Sequence, residues 1–242
     1  MTSRPDGRAP DELREIRITR NFNHTAPGSV LISAGRTSIL CTATFTDSVP
    51  PWLIGASHGW LTAEYSMLPG STLHRKARES RIGRTDGRSI EIQRMIGRSL
   101  RAVVDVKQLP ELSLWLDCDV LAADGGTRTM SVTGAYVAVI DALRSLEKKG
   151  RLKSWPMRAQ IAGCSVGLVN GQPLLDLSYD EDSRAEIDMN VSFTSEGRFA
   201  ELQFSGERAT LSREQLNGLL DLTEGACRRL FEIQERVLRE GT

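Results

Sequence analysis

The chain has 242 residues, 40% hydrophobic and 26% charged, with 31 Lys and Arg balanced by 31 Asp and Glu. This is the composition of a soluble globular protein long enough to bury a sizeable core, and its zero net charge points to no particular partner. It also argues against a membrane or secreted class: no apolar run is long enough to span a bilayer, the opening "MTSRPDGRAPDELREI" is polar, and Cys41, Cys118, Cys164 and Cys227 form no paired motif. A cytoplasmic protein with no membrane partner is expected.

Residues 1–13, rich in Pro, Gly and charge, read as a mobile arm. "SVLISAG" and "TSILCTATFT", joined at Gly35-Arg36, predict a hairpin; in the second strand Ile39, Cys41, Ala43 and Phe45 alternate with polar residues. A loop, "PPWLIGASHG", leads to a strand, "WLTAEYSML", that stops at Pro69-Gly70. From Arg75 to Arg101 nine basic residues meet only Glu79, Asp86 and Glu91, so a neutral chain has one strongly basic stretch. Within it Ile92, Met95, Ile96, Leu100 and Val103 recur at helical spacing.

Strand "LSLWLDCDVLAA" and helix "TMSVTGAYVAVIDALRSLEKK" follow. The second half opens on "MRAQIAGCSVGLVNGQPLLDLSY", where Asn170-Gly171 is a two-residue hairpin signal, and continues with a hairpin in "AEIDMNVSFTSEGRFAELQFSG". The last helix is predicted from Ser212, with Gln215 completing a capping box, to about Glu240. Its buried face would be Leu216, Leu219, Leu220, Cys227, Leu230, Phe231 and Val237. Hairpins mixed with helices give an α+β class. The expected organisation is one domain with approximate halves 14–150 and 155–240.

Three segments can carry chemistry. In "LAADGGTRTMSV" two glycines, a hydroxyl and a guanidinium stand where a strand passes into a helix. Glycines allow close approach, and free helix amides with Arg128 favour an anion; a tight turn with an exposed Arg would look the same. In "RIGRTDGRSIEIQRMIGRSLR", Arg94, Arg98 and Arg101 share a helix face and Arg81, Arg84 and Arg88 punctuate a glycine-bearing loop. That suits a phosphate backbone as well as a plain solvated face. In "YDEDSRAEIDMNVSFT", Asp182 precedes a strand that carries Asp188 on its polar side, and a bend can bring the two together. Converging carboxylates bind Mg²⁺ or raise one pKa for acid catalysis. His24, His58 and His74 have no neighbouring Ser or Cys elbow, and no zinc-spaced cluster is present.

"TAEYSMLPGST", "GRSIEIQRMIGRSLRAVVD", "DCDVLAADGGTRTMSVTGA" and "EDSRAEIDMNV" together resemble the signature blocks of the ribonuclease PH family, in order from about residue 4 to residue 240. The resemblance implies an α+β fold like domain 2 of ribosomal protein S5. It also implies a phosphorolytic 3′-to-5′ exoribonuclease, a nucleotidyltransferase that trims precursor-tRNA trailers and releases nucleoside diphosphates. Inorganic phosphate would be the co-substrate, bound by Arg88, Gly126, Thr127 and Arg128. Asp182 and Asp188 would be the catalytic carboxylates and the ligands of Mg²⁺ or Mn²⁺. Arg75, Arg78 and Arg81 are assigned to single-stranded RNA, and a homohexamer built as a trimer of dimers is implied. The alternative is an exosome-like ring subunit that has lost catalysis and only binds RNA. Two positions depart from the family pattern: Gly70 where Arg is usual, and His58 where Gln is common. Asn190 stands where polynucleotide phosphorylase has a Lys near its metal.

Overall fold

The computed structural model describes residues 4–78, 83, 86–206 and 209–240. Its first sheet contains β1 (Ile16–Arg20), β2 (Gly28–Ala34), β3 (Thr37–Thr46), β4 (Trp60–Met67) and β5 (Ser113–Ala122), in the order β1-β2-β3-β5-β4. All neighbours are antiparallel except β4 and β5. That parallel pair needs a crossover, which α1 (Gly87–Val103) supplies. The second sheet is antiparallel, with β6 (Ile161–Val169), β7 (Gln172–Leu175), β8 (Ile187–Thr194) and β9 (Phe199–Ser205) in the order β7-β6-β8-β9.

Between the sheets runs α2 (Thr127–Lys148), which packs on β2 and β3 on one side and β6 on the other. It is buried almost all round, which explains why "GAYVAVIDAL" is apolar without a clean stripe. The helix sits so close to the first sheet that a Cβ on Gly28 would stand 1.9 Å from the Ala138 carbonyl oxygen. One continuous core therefore joins both sheets.

The final helix, α4 (Arg213–Arg239), begins at the predicted capping box, with Ser212 accepting from Gln215. Leu219, Cys227, Leu230 and Phe231 are buried as expected; Leu216, Leu220 and Val237 are partly exposed, and Leu238 closes the stripe instead. At the Asn170-Gly171 hairpin both residues take positive φ (52° and 71°), as a two-residue turn requires. A short helix absent from the sequence prediction, α3 (Tyr179–Asp182), links β7 to β8. No helix among the described residues is long and apolar enough to cross a membrane.

The segment expected to be a mobile arm is instead held against the fold from Arg4 onwards. The Arg4 side chain is buried and forms a bidentate ion pair with Glu181, while Arg14 does the same with Asp176. Local composition reads such a stretch as solvated because its partners lie more than 150 residues away.

Candidate active site

Leaving β5, the chain turns through Asp124, Gly125 and Gly126 into α2. Both glycines adopt left-handed backbone (φ 76° and 66°), and Gly126 has no side chain to cap the helix. The turn also lies flush against the segment before α3: a Cβ on Gly125 would stand 2.3 Å from the Leu177 carbonyl oxygen. Glycine is required here for space as well as φ.

The first helical residue, Thr127, is buried, and its hydroxyl is 2.9 Å from the Tyr65 phenol on β4. Arg128 reaches towards α1, where Glu91 lies 3.5 Å from its Nη1. Arg88 stands exposed in the first turn of α1, its amide capped by Asp86. Both guanidinium charges act on the same buried phenol. Burial pushes the Tyr65 hydroxyl pKa up, while its bond to Thr127 and the Arg88 and Arg128 charges oppose that rise.

A capping box between Ser178 and Glu181 nucleates α3 and leaves Asp182, exposed, at its end. Asp188 sits in β8, opposite Gly167 of β6 and Ser205 of β9. Partial burial and then the Asp182 charge push the Asp188 carboxyl up to about 6, against the pull of Arg128, the Asn190 hydrogen bond and Arg88. The Asn190 amide donates to Asp188 Oδ2 at 3.1 Å. Asp182, Asp188, Arg88 and Arg128 thus share one electrostatic neighbourhood. An uncapped helix N-terminus and two guanidiniums can seat a phosphate beside an acidic pair.

The acidic pair fits a hard divalent cation. Two mutually repelling carboxylates are relieved by one, and oxygen donors suit Mg²⁺ or Mn²⁺. Among the described residues no group of three or more His, Cys, Asp or Glu could hold a metal. A cation on Asp182 and Asp188 would then share its remaining positions between water and phosphate oxygens, as Mg²⁺ often does.

The basic stretch divides. Arg75 and Arg78 are exposed, while Arg81 lies outside the described residues. Arg98 pairs with Glu201 at 2.6 Å; Arg101 lies 4.8 Å over the Trp60 ring and donates to the Leu61 carbonyl at 2.9 Å. Those two arginines are occupied within the fold. Sequence reasoning also misses Tyr65, although it lies inside a quoted motif: only its pairing with Thr127, 62 residues away, marks it out. At Gly70 an added Cβ would meet nothing within 4 Å, so the local structure does not demand glycine. His58 is engaged locally, with Nδ1 donating to the Gly59 carbonyl at 2.9 Å.

The 3′ exoribonuclease family matches in two parts, its domain 1 over residues 12–145 and its domain 2 over residues 159–226. Ribonuclease PH of Bacillus pumilus is 54% identical over 238 residues, covering 98% of each chain. That of Corynebacterium efficiens is 51% identical over 236 residues, covering 98% of this chain and 96% of its own. Among solved structures, rice (Oryza sativa) Rrp46 superposes with a TM-score of 0.78 at 17% identity, covering 97% of this chain and 100% of its own. An Archaeoglobus fulgidus exosome with RNA bound to the active site gives 0.79 at 23%, covering 95% and 92%. Identity above one half along nearly the whole chain, on the fold and site described, makes this protein a member of the ribonuclease PH family of phosphorolytic 3′-to-5′ exoribonucleases.

Proposed function

We propose that inorganic phosphate binds at the N-terminus of α2, between Arg88 and Arg128 and against Gly126 and Thr127. There it attacks the last phosphodiester of an RNA 3′ end. One observation carries this reading: the glycine turn that opens α2 lies flush against Leu177 and Tyr179, where α3 starts towards Asp182, so the cationic and acidic halves belong to one site.

The chemistry follows from the charges. The nucleophile and the diester are both anions, and two guanidiniums with the free amides of α2 offset their repulsion. Tyr65 fixes the Thr127 hydroxyl so that it faces a preset direction. A phosphate oxygen forms a bond to phosphorus, the bond from phosphorus to the 3′ oxygen breaks, and a nucleoside diphosphate leaves. The shortened RNA needs one proton on its new 3′ oxygen. Asp188, titrating near 6, can hold that proton at its carboxyl, with Asn190 orienting the group. Asp182 and Asp188, both ionised, are the residues that would hold a divalent cation, which would supply charge stabilisation of the departing oxygen in place of the Asp188 proton.

The single-stranded tail approaches across Arg75 and Arg78, and precursor-tRNA trailers are its substrates. The RNA bound in the archaeal neighbour's active site supports RNA as the substrate class. Assembly is a homohexameric trimer of dimers. Exposed Phe199, Leu202 and Phe204 on the edge strand β9 support contact with another copy. The deciding assay supplies a short RNA, Mg²⁺ and phosphate. Nucleoside diphosphates that require added phosphate are expected; monophosphates formed without phosphate would replace this reading with hydrolysis.

A further inference from the structure

Arg14 lies buried between two segments that the site needs side by side. One edge of its guanidinium grips Asp176, with Nη2 donating to Oδ1 at 2.7 Å and Nε to Oδ2 at 3.0 Å. The Arg14 amide adds a bond to Oδ2 at 2.8 Å. The other edge faces the glycine turn: Nη1 donates to the Asp124 carbonyl and Nη2 to the Gly125 carbonyl at 3.4 Å. A Cβ on Gly126 would stand 2.7 Å from Nη2, so guanidinium and turn are in direct contact.

Asp176 is itself pinned from three sides. It is fully buried and has left-handed backbone (φ 51°), uncommon for a residue with a side chain. Its carbonyl accepts from Arg4 Nη2 and from both terminal nitrogens of Arg8, each at 3.1 Å. Arg4 then forks onto Glu181 at 2.7 and 2.9 Å, the residue before Asp182. Across the gap, Asp124 Oδ1 accepts from the Tyr179 amide, which opens α3, at 3.3 Å. Thus three arginines between residues 4 and 14 hold the turn that begins α2 to the segment that carries Asp182.

Such an arrangement is a weak way to gain stability, because each buried charge must be stripped of water. A planar fork with hydrogen bonds on two edges does something apolar packing cannot: it fixes distance and orientation between two backbones. We propose that Arg14, supported by Asp176 and Arg4, is a positioning group for phosphorolysis. It sets the spacing between the phosphate turn at 126–128 and the acidic pair on α3 and β8. This rests on the site reading above, in which phosphate and the leaving 3′ oxygen are handled by those two segments.

The test is Arg14→Lys, which keeps the charge and loses the fork. Its control is Arg20→Lys, which loses another fork, partly buried, on Asp141 at 2.6 and 2.8 Å, away from the site. Both variants are expected to melt at lower temperature. Only Arg14→Lys should raise KM for phosphate and lower kcat, each about tenfold or more, with short-RNA affinity in the absence of phosphate unchanged. Amide exchange should speed up together at 124–130 and 176–183. Equal kinetic loss in both variants, unchanged kinetics in Arg14→Lys, or exchange rising in only one segment would each overturn the proposal. If Arg14→Lys does not fold, Arg4→Met combined with Glu181→Met removes a link without leaving a buried charge, and unchanged phosphate KM and kcat there overturns it as well. If the parent releases no nucleoside diphosphate, the reading of the site fails, and the exchange result by itself decides whether Arg14 couples the two segments.

Discussion

Asp176 and Glu181 are buried more deeply than Asp188, yet their pKa values move the opposite way. Burial pushes the Asp176 carboxyl up, but Arg14 outweighs it and holds the group below its ordinary 3.8. Glu181 behaves alike, with Arg4 overcoming its burial. Asp188 is lifted to about 6 by its partial burial first and the Asp182 charge second, with Arg128, the Asn190 hydrogen bond and Arg88 opposing that rise without cancelling it. Depth alone therefore does not decide the state of a carboxylate here. The partner does: Asp176 and Glu181 each face a forked arginine, whereas Asp188 faces a second acid.

Asp188→Asn should produce the largest effect. Turnover is expected to fall about 10²- to 10⁴-fold while RNA binding persists, measured by diphosphate release and filter binding. The same variant should be more stable than its parent at pH 8 with a chelator present. The folded carboxyl titrates above its unfolded value, so stability is full below 3.8 and is lost as pH rises through about 6. Removing the charge recovers at most about 3 kcal/mol at pH 8 and nothing below pH 3.8. Melts that do not rise at pH 8 would show that Asp188 is not strained by its neighbours.

Asp176→Asn should do the reverse, sharpening the contrast. It strands Arg14 in the interior, and a loss of about 3–5 kcal/mol is expected at pH 7 in denaturant titrations. The sign is opposite to that of Asp188: the stabilisation is present above 3.8 and disappears as pH falls through the lower folded value. Parent and variant curves that remain apart in strong acid would break the comparison.

Arg88→Ala tests the cationic side, where Arg88 is exposed and lowers the Asp188 pKa only as its last contribution. About a hundredfold drop in kcat/KM for phosphate is expected, against little change in melting temperature. The smallest effect belongs to Arg75→Glu with Arg78→Glu. For every RNA phosphate that is no longer neutralised, the dependence of log affinity on log salt should flatten by about 0.7 for a single strand. An unchanged salt slope removes both arginines from the RNA path.

Much of this is legible locally. Helical period marks α1 and α4, alternation and turn residues mark the hairpins, and the two glycines at 125–126 announce the turn that opens α2. The short α3 escapes such a reading because four residues carry no period, although Ser178 and Glu181 have capping-box spacing. Arg98 and Arg101 group with the free basic face because charge counting sees neighbours in sequence, and their partners Glu201 and Trp60 come from other strands. Residues 4–13 of the expected arm look solvated for the same reason.

By itself the order of amino acids determined most of the elements and the α+β class, since these depend on local sterics and period, while the candidate groups for phosphate and a proton followed from side-chain chemistry together with the family resemblance. Only the tertiary structure decided which arginines are engaged inside the fold and which face the site, and whether a given carboxylate is held ionised or pushed towards protonation. Those outcomes are set by the distance to partners far along the chain, and electrostatic energy in a poorly solvated interior depends on that distance far more than on sequence separation.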